Sequence, residues 1–273
     1  MGEISTDNLY HYTNKFKWII SILEEGFKFN KCEEKLPLTG FSSSIFSHPE
    51  IVKHLIHPEV VCFCDIPFSL VSDHINKYGE YCIGLTKDWG MKNGITPIRY
   101  VHFDTPDLKD EKFYLLKASA ENYYRFNNSM LQMVNQMLID SGDFEGLSEK
   151  DYQSLPKKWE KIISQMDCEY HNMITFTQLY LGNMRIYEDE WPDRVTGKKE
   201  LHRFYDEREW RALKTHKDQT RLIFKWDDIV EIIISNKSEQ KKLTEVLINN
   251  YSIDTKTAIK KIRFISDIMV KLS

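Results

Sequence analysis

Three short runs of the sequence gather side chains able to do chemistry. The first is Tyr205-Asp206-Glu207-Arg208-Glu209-Trp210-Arg211. In an extended strand alternate residues share a face, so Glu207, Glu209 and Arg211 line one side while Arg208 and Trp210 line the other. Two neighbouring carboxylates either shift one another's ionisation or grip a polar ligand together. The same run also reads as an edge strand whose charges sit in water and pair with nearby arginines. The second run, Tyr10-His11-Tyr12-Thr13, puts an imidazole between two aromatics at the end of a strand and just before a helix, whose N-terminus favours anions. A core histidine with one satisfied hydrogen bond is the other reading. In the third, Cys64-Asp65-Ile66-Pro67 is followed by His74, Tyr78-Gly79 and Tyr81. Asp65 there stands just past a buried strand, where open sheets meet ligands, or serves as a turn or helix cap.

Other chemistries find less support. His54 and His57 are one helical turn apart, and Cys62-Phe63-Cys64 sends both thiols to one strand face, but neither has a second pair at zinc spacing. No metal is expected. The sequence has no glycine-rich phosphate loop and no G-x-S-x-G elbow, so P-loop and α/β-hydrolase mechanisms are not supported.

The elements that must position these runs follow from periodicity. Residues 9–13 read as a strand, after which Asn14 caps a helix that buries Trp18, Ile19, Ile22 and Leu23 and stops at Gly26. Residues 31–58 read mainly as loop, 60–64 as a strand buried on both faces, and 68–77 as a short helix. Strands are expected at 81–85 and 97–103, separated by a turn at Asp88-Trp89-Gly90-Met91-Lys92-Asn93-Gly94. From about 108 to 180 the period becomes helical, with Tyr123, Phe126, Met130, Val134 and Met137 in register. Strand character returns at 201–213, 220–224 and most strongly at 228–235; a helical tail from 237 to 273 follows. The expected architecture is one α+β domain over 1–273, with a mixed, mostly antiparallel sheet, a helical insertion at 108–180 and the tail packed on the core.

The chain of 273 residues is long enough to bury a real core without disulfides or metals. Its 37 Lys and Arg against 41 Asp and Glu give a net charge of −4, which disfavours a generic nucleic-acid coat or an anionic-membrane binder. Beyond residue 236 eight basic residues face four acidic ones, a local excess of positive charge of the kind that usually marks a solvated face. Five cysteines (Cys32, Cys62, Cys64, Cys82 and Cys168) without framework spacing suit free thiols in a reducing compartment. With no signal-peptide pattern and no bilayer-length apolar stretch, a soluble cytoplasmic protein is expected.

Taken in order, LYHYT at 9–13, VCFCDIP at 61–67, the H-x-x-x-Y-G of 74–79, YCIGLTKDWG at 81–90, ITPIRYV at 95–101 and DEREWR at 206–211 resemble the AbiGi family. These are bacterial abortive-infection (phage-resistance) proteins described as antitoxins of a two-component system. The resemblance runs from about residue 9 to 235. A more distant resemblance is to ADP-ribosyltransferase-like folds, in which a histidine on the first core strand, an aromatic on a second and a glutamate on a late strand surround NAD. That resemblance implies a sheet of the ADP-ribosyltransferase type and NAD as substrate, for transfer of ADP-ribose or for NAD hydrolysis. Glu209 would stabilise the ribosyl cation and Glu207 would orient the acceptor. His11, with Tyr12 and Thr13, would hold the adenosine-side ribose, Tyr78 or Tyr81 would stack on nicotinamide, and Arg211 would meet a phosphate. On this reading Glu209→Gln abolishes activity and leaves the fold intact. The AbiGi resemblance alone implies a catalytically silent partner of a toxin. The leading expectation is the NAD-using defence protein, with the silent antitoxin as the alternative, so the expected partner is a macromolecular acceptor or a toxin; an RNA or DNA end met by the basic C-terminal helices is a third and lesser reading.

Overall fold

The computed structural model describes residues 5–32, 58–67, 70–101, 132, 182–192, 197–216 and 218–269. The chain divides into two compact units, one comprising Met1–Leu36, His57–His102 and Gly182–Ser273, the other Pro37–Ile56 and Phe103–Leu181. Every element named below belongs to the first unit. The helical insertion expected at 108–180 lies, apart from residue 132, outside the described residues, as does most of the loop expected at 31–58.

The chain opens with β1 (Asn8–Thr13) and α1 (Phe16–Glu25), followed by β2 (Phe27–Lys28) and β3 (Asn30–Lys31). Next come β4 (Glu59–Cys64), α2 (Ser72–Tyr78), β5 (Tyr81–Thr86), α3 (Lys87–Lys92), β6 (Thr96–Pro97) and β7 (Arg99–Val101). After residue 181 follow β8 (Met184–Ile186), β9 (Glu188–Pro192), β10 (Lys199–Arg203), β11 (Glu209–Leu213), β12 (Arg221–Leu222) and β13 (Ile229–Ile234). The chain continues with α4 (Gln240–Tyr251), α5 (Thr255–Lys260), β14 (Ile262–Phe264) and α6 (Ile265–Met269).

An eight-stranded sheet in the order β14-β13-β5-β1-β4-β11-β6, with β3 also on β4, holds the unit together. Its neighbours are antiparallel except β13 and β14. The class is α+β with a mixed, mostly antiparallel sheet. Period-two alternation divides its side chains between two clusters. Leu9, Val61, Phe63, Ile83, Leu85, Ala212, Ile232 and Ile234 pack under α1 and α4, together with Phe27, Trp89 and Phe224. Tyr10, Tyr12, Cys64, Cys82 and Ile233 point the other way, onto Ile66, Val71 and Ile75. Burying an aromatic ring such as Phe27, 1% exposed, contributes roughly 1.5–3 kcal/mol.

Two glycines set the ends of the helices beside β1. Gly26 (φ 83°) ends α1 where a Cβ would meet the Leu222 carbonyl oxygen at 2.7 Å. Gly79 (φ 116°) ends α2 so close to β1 that a Cβ would lie 2.4 Å from the Thr13 carbonyl oxygen. The glycine of the H-x-x-x-Y-G run is thus required by backbone approach.

Several expected elements differ. The N-cap of α1 is Lys15, without a side-chain bond, and Trp18 is 46% exposed because the buried stripe is Ile19, Ile20 and Leu23. Residues 87–92 form α3 instead of a turn, since Thr86 caps the Trp89 N–H and Trp89 anchors in the core; only Asn93 and Gly94 turn. The strand expected at 97–103 is split, β6 joining the main sheet and β7 pairing in parallel with β8. The strand expected at 201–213 is interrupted by a 3-10 turn at Phe204–Glu207 and by Arg208 in the left-handed region (φ 45°). The tail is not wholly helical: β14 adds a parallel edge strand to the sheet.

Candidate functional site

The break at 204–208 decides where the two glutamates go. Glu209 stands on β11 opposite Cys64, which is itself opposite Tyr10, so Glu209 and Arg211 share the face of Tyr10 and Tyr12. Glu207 lies in the preceding 3-10 turn and reaches the same place by a different backbone route. Both carboxylates are buried.

They are held by side chains from four separate segments. Arg185 of β8 bridges them, with Nη1 2.8 Å from Glu207 Oε2 and in contact with Glu209 Oε2. Arg211, only 1% exposed, donates Nε–H to Glu209 Oε1 at 2.7 Å and an Nη1–H to the Gly182 carbonyl at 2.8 Å. Lys77 of α2 pairs with Glu207. His202 of β10 places Nε2 2.8 Å from Glu207 Oε1. The Tyr100 hydroxyl of β7 accepts the Glu209 N–H at 2.8 Å. Phe204 packs beneath the cations, its ring 4.0 Å from the Arg185 guanidinium carbon.

The electrostatics follow from this wiring. Burial alone would raise the Glu207 carboxyl, but His202, Arg185 and Lys77 hold it well below the usual carboxylate range. For Glu209 burial is likewise outweighed by Arg211 and Arg185. Burial, reinforced by Glu207, pushes the Tyr78 phenol up. His74 packs on Tyr78 and Tyr12, with ring centroids 4.4 and 5.0 Å away, and burial lowers its imidazole to about 4. Both glutamates are therefore ionised and compensated, as in a charged core joint.

Of the residues singled out in the sequence, Glu207, Glu209, Arg211, Tyr12 and Tyr78 lie on this side of the sheet. His11, Thr13 and Tyr81 do not. His11 projects to the opposite face, edge-on to Phe27 and Phe63 at centroid distances of 5.0 and 5.8 Å. Its Nδ1 is 2.8 Å from the Cys62 carbonyl, and burial lowers its pKa, so it is a neutral core imidazole with one bond satisfied. Thr13 is paired with Tyr81, and Tyr81 joins the apolar cluster while its hydroxyl bonds Glu239. The residues that the resemblance assigns to NAD thus stand on two faces of one sheet and do not fit around one ligand.

Asp65 proves to be an N-terminal clasp. Burial opposes its charge, but Lys87, Ser5 and the Thr6 N–H, at 2.7 to 2.8 Å, hold its pKa down. Cys62, Cys64 and Cys82 are free thiols. Among the described residues no cluster of three or more His, Cys, Asp or Glu has the geometry to hold a metal, and no helix is long and apolar enough to cross a membrane.

Sequence reasoning missed Lys77, Arg185, His202 and Tyr100. Lys77 is next to the singled-out Tyr78 and His202 is five residues before Glu207, so proximity in sequence was a signal for these two. Tyr100 lies in the ITPIRYV run without being singled out there, and Arg185 carries no signal; the two arrive on strands whose pairing spans residues 102–183.

The family model described as "Putative abortive phage resistance protein AbiGi, antitoxin" matches residues 31–266. The abortive phage resistance protein AbiGi of Lactococcus lactis subsp. cremoris is 24% identical over 181 residues, covering 63% of this chain and 57% of that protein. The chain thus spans a little over half the length of that curated relative. No solved structure matches the chain.

Proposed function

The chain belongs to the AbiGi family of abortive phage-resistance proteins, and from that premise we propose that it acts as an antitoxin, neutralising a partner toxin by protein-protein contact. The observation that carries the choice over NAD chemistry is the state of the carboxylate pair. Glu209 is bound by Arg211 and Arg185, and Glu207 by Arg185, Lys77 and His202. A carboxylate that is to stabilise a ribosyl cation must face the substrate, and a full set of protein cations competes for that role. With His11, Thr13 and Tyr81 on the other face, the cluster reads as a joint that fixes β8, β10 and α2 to β11. The proposed cytoplasmic, soluble setting fits a protein that meets its toxin inside the cell.

Co-expression tests this directly. The full chain is expected to relieve growth arrest caused by its partner toxin and to co-purify with it. A folded chain that leaves the arrest unchanged would sink the proposal. Turnover of NAD, or a rise in melting temperature at millimolar NAD that Glu207 and Glu209 variants lose, would favour the alternative, an NAD-consuming or ADP-ribose-transferring enzyme built on Glu207, Glu209, Tyr12, Tyr78 and Arg211.

A further inference from the structure

The charge of the molecule is unevenly placed. Residues beyond 236 hold eight of the 37 basic and four of the 41 acidic side chains, leaving 29 against 37 in the rest of the chain. On α4 the exposed residues are Lys241, Lys242, Glu245, Asn249 and Asn250, while Leu243, Thr244 and Leu247 face inward. On the adjoining α5, Lys256, Ile259 and Lys260 are exposed around the buried Ala258. Lys237 and Arg263 are exposed as well, the first over the Phe264 ring.

The acidic and basic residues of this region are used differently. Glu239 accepts hydrogen bonds from the Tyr81 hydroxyl at 3.0 Å and the Asn236 N–H at 3.3 Å. Asp254 caps α5 through the Thr257 N–H and hydroxyl at 2.9 and 2.7 Å. Glu245 remains as the acidic side chain on the outer face of α4. By contrast Lys241, Lys242, Lys256 and Lys260 make no ion pair among the described residues. Two of them, Lys241 and Lys242, stand in the first turn of α4, which holds no acidic residue. Cations there oppose the positive end of the helix dipole, so fold stability does not account for them.

We propose that the outer face of α4 and α5 is a docking surface for an acidic protein segment, and that the partner toxin presents one. This rests on the antitoxin reading. Complementary charge recommends an acidic occupant, and two features favour protein over nucleic acid. Ile259, 43% exposed between Lys256 and Lys260, offers an apolar anchor. The nearby Trp226 and Phe264 rings are packed against the core and each has a lysine ammonium over it, so they are poor platforms for stacked bases.

The test uses the full chain and two labelled probes: a polyglutamate peptide of about 20 residues with a central leucine, and a single-stranded DNA of about 20 nucleotides. Anisotropy titrations at about 50 and 200 mM salt are expected to give tighter binding of the peptide, weakening with salt. The variant Lys241→Glu/Lys242→Glu/Lys256→Glu, which leaves Lys260 at the favourable C-terminal end of α5, should lose at least about tenfold in peptide affinity while its melting temperature holds or rises. Equal affinity in that variant overturns the proposal, and tighter DNA binding through the same lysines replaces it with a nucleic-acid surface. Growth rescue is read separately: peptide binding by a wild-type chain that fails to relieve arrest refutes the antitoxin reading and leaves the docking surface standing.

Discussion

His11 and Glu209 stand on strands that flank β4, on opposite faces of one sheet, and the two faces bury polar groups in opposite ways. Around His11 the neighbours are Phe27 and Phe63, with Trp89 and Phe224 packed on Phe27 beyond them; the imidazole stays neutral and satisfies Nδ1 on a carbonyl. Around Glu209 the charge is kept and matched by Arg211 and Arg185, with Glu207, Lys77 and His202 completing the network. Solvent exclusion selects the neutral form where no partner charge is available, and the ion pair where several are. The same residue types that suggest catalysis in a sequence therefore do structural work on both faces, by different means.

The largest effect expected on this contrast comes from the charged face. Arg211→Met leaves Glu209 without the cation that bonds both its oxygens, and Glu209→Gln leaves the buried Arg211 without its carboxylate; each should cost about 3–5 kcal/mol in urea denaturation. The expectation that Glu209→Gln spares the fold is accordingly reversed. The double variant Glu209→Met/Arg211→Met should recover much of the loss, since it removes both charges together. Additive losses would mean that the pair is not coupled and that the two faces do not differ as argued.

Acid sharpens the contrast next. His74 borders the charged face yet packs on Tyr12 and Tyr78, and burial brings its folded pKa to about 4. Because this lies below the unfolded value of about 6.5, the unfolded chain binds the proton first. The contribution is complete above about pH 6.5 and is lost as pH falls towards 4, by about 2 kcal/mol between pH 7 and 5. His11, also lowered, acts with the same sign. Glu207 and Glu209, depressed in the fold, add a second loss that begins as pH drops below about 4.5. Melts of His74→Phe across this range should show a shallower slope from pH 7 to 5 and an unchanged fall below it; a slope equal to wild type would remove His74 from the account.

On the apolar face the change is smaller. His11→Phe exchanges one aromatic for another between Phe27 and Phe63 and forfeits the bond to the Cys62 carbonyl, which costs about 1–2 kcal/mol. The variant should fold and should respond to NAD as the wild type does. A change in nucleotide response caused by His11→Phe would restore the histidine to a ligand site and undo the contrast.

How far these faces could be read from sequence depends on how local each signal is. Alternation in Leu9-Tyr10-His11-Tyr12-Thr13 correctly separates His11 from its tyrosine neighbours, and the apolar runs at 60–64 and 228–235 locate β4 and β13. What alternation cannot give is which face of β1 looks towards Glu209, because that depends on strand order. The run 205–211 misleads for a related reason: Glu207 joins Glu209 through a 3-10 turn and a left-handed Arg208, not through a continuous strand. Arg185, which ties the pair together, belongs to a strand whose partner lies more than eighty residues earlier. The basic excess of the tail is visible as composition, but separating acids that serve as caps from lysines that make no ion pair among the described residues needs the side-chain contacts.

The smallest expected effect concerns the helix that covers the apolar face. α4 buries Leu243 and Leu247 against the His11 side of the sheet and turns Lys241 and Lys242 outward in its first turn. If its inner stripe supplies the stability and its outer lysines do not, Lys241→Glu and Lys242→Glu should each raise stability by a few tenths of a kcal/mol at low salt, the helix-dipole gain being partly offset by repulsion from Glu245 on the same face. The gain should shrink as salt rises, because the interaction is exposed and screened. Leu247→Ala, by contrast, should cost about 2–5 kcal/mol at any salt concentration. Parallel melts of the three variants at low and high salt separate the two sides of this helix. A loss of stability in the Lys→Glu variants would show that the lysines hold the fold, and would give these positions a structural reason that requires no acidic partner.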